Sequence, residues 1–78
     1  MTNSTRKINP PTRPQKLPFL ESICWKTVDV YKFTPEQMLS SYERGWHYRQ
    51  MFNNLAGEEL NFVKELARYY DSWLQVDL

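Results

Sequence analysis

The chain has 78 residues, of which 41% are hydrophobic and 15% aromatic, and its ten Lys/Arg against nine Asp/Glu leave a net charge of +1. That length allows one domain at most, with a modest core. One cysteine (Cys24) excludes an internal disulfide, and a single histidine beside it cannot complete the usual four-ligand zinc set.

The charge is unevenly spread. Residues 1–20 carry Arg6, Lys7, Arg13 and Lys16 and no acid, while residues 21–78 carry six bases and nine acids. The opening "MTNSTRKINPPTRPQKLP" holds four of the five prolines and few large apolar residues. Such a segment buries too little surface to offset its ordering entropy, so residues 1–16 are expected to be a disordered, Pro-rich basic arm. The arm invites an anionic partner: nucleic acid, an acidic protein face or the body itself. Residues 17–78 are expected to form a single small helical domain.

In "LPFLESICWKTVDVYKF", Phe19, Leu20, Ile23, Cys24 and Val28 fall at helical spacing, and Pro18 suits a first helical position. The later "TVDVYKF" is rich in strand formers, but a lone strand has nothing to pair with. The reading is a short helix near 18–25 and an extended connector to 33.

"FTPEQML" is the sharpest boundary. Thr34 is a good N-cap, Pro35 fits the next position, and Gln37 completes a capping box. A helix starts at 35. Met38, Leu39, Tyr42 and Trp46 share one face; Tyr48, Met51, Phe52 and Leu55 share a rotated one, with Gly45 between them. A continuous helix to about 53 is favoured over a break at Gly45, because packing can offset the roughly 1 kcal/mol cost of glycine. "NNLAGEEL" is a loop and a new start, with Glu58 and Glu59 at the positive end of the next helix. That helix, 57 to about 74, presents Leu60, Val63, Leu66, Ala67, Tyr70 and Leu74 on one face. The fold class is therefore all-α: an antiparallel hairpin of helices near 35–53 and 57–74, plus a short N-terminal helix or turn and the basic arm.

Catalytic signals are weak. His47 and Glu43 stand four apart, as on a helix, and Cys24 is the only nucleophile of a cysteine-enzyme type, yet no local signature accompanies them. Two glycines cannot make a Gly-rich phosphate loop. The expectation is no enzyme, no metal, no cofactor and no small-molecule substrate. Arg44, Trp46, Tyr48 and Arg49 interleave bases and rings, as strand-binding surfaces do, but the body is acidic and the pI of about 7.9 is low for a nucleic-acid domain. Trp, Tyr and Arg are also the residues most often central to protein interfaces. The reading favoured is a small regulatory protein that works by protein binding, to another protein or as a homodimer, through Trp46, Tyr48, Arg49, Arg44, Tyr69 and Trp73. The basic arm residues Arg6, Lys7, Arg13 and Lys16 assist. The alternative is a nucleic-acid-associated factor using the arm and residues 44–49. No segment approaches the ~20 apolar residues of a membrane span and the N-terminus has no apolar secretory core. With a lone cysteine, that makes a cytoplasmic location the expectation.

Overall fold

The computed structural model describes residues 11–78, and every regular element in them is helical. Pro18 opens α1 (Pro18–Ile23). A connector follows, which Asp29 closes by accepting the Tyr31 N–H at 3.0 Å into a 3-10 turn over Val30–Lys32. The connector is thus no strand, and the expected extended run to 33 is shortened by this turn. The helix expected at 35 is α2 (Pro35–Arg44). Its capping box is complete, with Gln37 N–H donating to Thr34 Oγ1 at 3.2 Å and Thr34 N–H donating to Gln37 Oε1 at 2.9 Å.

The continuous helix to 53 is not what forms. α2 ends at Arg44, a 3-10 turn covers Trp46–Tyr48, and a single helical turn, α3 (Arg49–Phe52), follows. The cause lies at Gly45. Its φ of −100° is open to any residue, so its special property is space. A Cβ there would sit 2.7 Å from Ile23 Cδ1 and 2.9 Å from Ile23 Cβ. The end of α1 presses on the backbone where α2 stops, and only glycine allows that approach.

α4 (Gly57–Tyr69) is also shorter than the periodicity suggests. Asp71 takes φ of 57°, Ser72 N–H reaches back to Ala67 C=O at 2.7 Å and Asp71 N–H to Arg68 C=O at 3.4 Å. This is a Schellman ending with Asp71 in the left-handed position. The chain then turns through a 3-10 turn over Trp73–Val76, started by Ser72 Oγ accepting the Leu74 N–H at 3.2 Å. Asp71 pays a conformational cost that glycine avoids. Asp71→Gly is therefore expected to raise stability by about 0.5 kcal/mol, net of losing the exposed Gln75–Asp71 hydrogen bond, in a urea titration.

The core gathers Leu17, Phe19 and Leu20 from α1 and its approach, Met38, Leu39 and Tyr42 from α2, and Phe62, Val63, Leu66 and Ala67 from α4. α2 packs on α4, but α1 packs on both α2 and α3. The two-helix hairpin is thus too simple a description, because the short first helix and its N-cap residue Leu17 together supply three completely buried side chains. Phe19 is the hub: its ring stacks on Tyr42 at 6.2 Å and meets Trp46 edge-on at 6.3 Å.

The arm divides. Arg6 and Lys7 lie outside the described residues. Residues 11–16 form no helix, but Pro11 is buried and the Arg13 guanidinium lies 4.8 Å over the Tyr31 ring. This part of the arm is therefore laid on the body. Tyr31 fixes the same region, since its hydroxyl accepts the Leu17 N–H at 3.0 Å and donates to the Glu21 carboxylate.

Candidate functional site

Among the described residues, one charged side chain is buried deep in the fold. Glu59, in the first turn of α4, is 2% exposed. Its Oε1 accepts the Phe19 N–H at 2.9 Å, and its Oε2 accepts the Leu20 N–H at 2.9 Å and the Tyr42 hydroxyl at 2.8 Å. The N-cap of α1 is Leu17, whose side chain cannot accept a hydrogen bond, so a carboxylate some forty residues away caps that helix instead. Burial pushes the Glu59 carboxyl above its ordinary range, and the three donated hydrogen bonds pull part of the way back. Burial, then the Glu59 charge, holds the Tyr42 hydroxyl firmly protonated. No solute reaches this cluster. Its work is to join α1, α2 and α4.

The catalytic pairing considered for Glu43 and His47 does not form. α2 ends between them, so the helical spacing is lost. Glu43 accepts instead from Ser72 Oγ at 2.6 Å, and the exposed His47 ring packs on Tyr48 at 4.1 Å. Cys24 is a half-buried free thiol on the edge of the core. Among the described residues, no group of three His, Cys, Asp or Glu could hold a metal ion.

The residues assigned to partner binding separate. Trp46 is 4% exposed and belongs to the core. The break at Gly45 aims it at Phe19, and its indole N–H donates to Asp77 Oδ2 at 3.1 Å. The Arg49 guanidinium lies over the Trp46 ring, 4.6 Å from its centre, and its Nη2 stands 3.8 Å from the same Asp77 oxygen. Tyr48 is partly exposed and leans on Phe52 at 5.9 Å. Met51, between them, is 71% exposed. Arg44 is apart from this set, reaching only Ser41 Oγ at 3.5 Å. Tyr69 packs edge-on against Tyr70 at 4.8 Å, and Trp73 stands 54% exposed on the C-terminal turn. Of the arm residues, Arg13 is engaged with Tyr31 and Lys16 is exposed.

What results is an apolar ridge beside a groove. Tyr48, Met51 and Phe52 form the ridge on α3 and the turn before it. The groove, about 460 Å³, runs between α3, α4 and the C-terminal residues, with Trp46, Arg49, Leu55, Leu60, Lys64 and Asp77 on its walls. Sequence reasoning missed Lys64 and Asp77. Lys64 looks like any solvated base on an acidic helix. Asp77 matters only because Ser72 and the turn after it return the chain to Trp46. Leu78 packs back on the core while Val76 is exposed, which divides the two apolar residues of the C-terminal "DSWLQVDL". No helix among the described residues is long and apolar enough to cross a membrane.

No protein-family model, curated protein or solved structure matches this chain.

Proposed function

We propose that the chain is a small non-catalytic binding protein that acts by docking on a protein partner through the ridge of α3. The observation that carries this reading is the exposure of Tyr48, Met51 and Phe52 together, on α3 and the 3-10 turn that leads into it. Single exposed apolar residues are ordinary, but a contiguous patch marks a contact surface. Two rings and a methionine also suit such a surface, because they offer large contact area and a side chain that adapts to its partner. The short α3 contributes no buried residue of its own, so these side chains are not explained by the core.

The test is site-specific photo-crosslinking in the source cells. A photoreactive residue at Met51 is compared with one at the exposed Ser40 of α2. The expected result is a discrete protein adduct from position 51 that position 40 does not give; a doubled mass of this chain would identify a homodimer. Adducts to nucleic acid, or the same pattern from both positions, would overturn the reading.

A further inference from the structure

We propose that the groove beside α3 takes an acidic side chain, flanked by aliphatic ones, from a peptide segment of the partner protein. The inference rests on the docking reading above and names the chemistry of what docks.

The cations of the groove are under-satisfied. Arg49 Nε is sealed from solvent and has no acceptor. Buried donors are nearly always paired, and leaving one unpaired costs about 1–3 kcal/mol. The ion pair of Arg49 with Asp77 is long at 3.8 Å, and the Asp77 oxygen concerned already accepts the Trp46 indole N–H. Lys64, on the α4 wall, forms no ion pair among the described residues, where Arg49–Asp77 is the one present. Two cations thus line the groove with one carboxylate, which only Arg49 approaches and which is already occupied. The groove has charge complementarity for one further anion.

The rest of the lining decides what kind of anion. Leu55 and Leu60 stand beside the bases, and the Trp46 ring lies beneath Arg49. Aliphatic walls reward aliphatic side chains, and the volume of about 460 Å³ fits a few residues of a peptide. A nucleic-acid backbone offers phosphates in series, and it would meet Asp77 here rather than a continuous basic track. A carboxylate with Leu-like neighbours satisfies both the charge and the walls. The carboxylate would accept from the solvent-facing part of the Arg49 guanidinium, whose side chain is 39% exposed, and lie within reach of the Lys64 ammonium, so its hydrogen bonds would be charge-assisted.

The experiment selects from a randomised phage library of peptides about a dozen residues long, using the whole chain as bait. Enriched peptides are expected to carry Asp or Glu next to Leu, Ile or Phe. In nitrogen-edited proton NMR they should shift the Arg49 Nε–H and Trp46 indole N–H signals saturably. Lys64→Glu, on a partly exposed wall position, should weaken them about tenfold or more while the spectrum stays that of a folded chain. The same peptide with Asn or Gln in place of its acid should lose a similar factor. Four results would each overturn the proposal: no enrichment, enriched peptides lacking acids, affinity indifferent to Lys64→Glu, or a single-stranded oligonucleotide displacing the peptides with greater affinity. Light scattering adds a fifth: a dimer that Lys64→Glu dissociates would put a second copy in the groove. If these fail while the Met51 adduct persists, the ridge is a docking surface and the groove is not part of it.

Discussion

Glu59→Ala is expected to destabilise the fold by about 3–5 kcal/mol, enough to leave a domain of this size largely unfolded at ambient temperature. The substitution strands two backbone N–H groups of α1 and the Tyr42 hydroxyl, all three of which the carboxylate now accepts. Each lost acceptor for a buried donor costs about 1–3 kcal/mol, partly relieved by water entering the gap. Glu59→Gln is the sharper variant. It keeps size and shape but turns one acceptor oxygen into an NH2 group, which must face a donor. A loss of about 2 kcal/mol is expected. Urea titrations followed by circular dichroism would measure both. A Gln variant as stable as the parent would show that the cap contributes nothing.

The same residue sets a pH dependence. Burial raises the Glu59 carboxyl in the folded chain above its unfolded value near 4.5. A raised carboxyl binds its proton more readily when folded than when unfolded. Its contribution to stability is therefore full below about pH 4.5 and declines as pH rises through the folded value. The difference in stability between the parent chain and Glu59→Gln, measured from neutral pH downward, should accordingly widen in the parent's favour. A difference that narrows with acid would show that the three hydrogen bonds outweigh burial.

Gly45→Ala is expected to cost about 1–3 kcal/mol. The new methyl would meet Ile23 at 2.7 and 2.9 Å, and the nearer escape is limited because the second contact is to Cβ, which moves only with α1 itself. Alanine is otherwise the better helix former by roughly 1 kcal/mol. Were packing at Ile23 unimportant, the substitution would stabilise the end of α2 instead. The sign of the change, read from thermal unfolding, decides between the two. In Gly45→Ala, truncating Ile23 to alanine should recover part of the loss, because it removes the Cδ1 contact and leaves the Cβ one.

These two positions show where local reading stops. The start of α2 was legible because a capping box is a local device: Thr34, Pro35 and Gln37 satisfy one another within a single turn. The helical class was legible for the same kind of reason, since 3.6-residue periodicity records which side of a helix is buried. The end of α2 was not. A glycine costs a helix about as much as packing can return, and only the position of Ile23, some twenty residues earlier, tips that balance. The cap on α1 was equally hidden. In the sequence Glu59 reads as an acid that complements the positive end of its own helix, yet its carboxylate is spent on another helix.

The candidate site follows the same division. Composition pointed to aromatics and arginines around 44–49 as the distinctive stretch, and Tyr48 and Arg49 do stand at the ridge and groove. Which ring is core and which is surface depends on the break at Gly45, which turns Trp46 inward and leaves Met51 in solvent. By itself, then, the amino-acid sequence determined what short-range forces determine: helix content, the start at Pro35, and a body rich in rings. The tertiary structure alone decided the lengths of the helices, the trans-acting cap and the pairing of Lys64 and Arg49 across one groove. Each of these depends on contacts between residues far apart in the chain, whose energies no local pattern records.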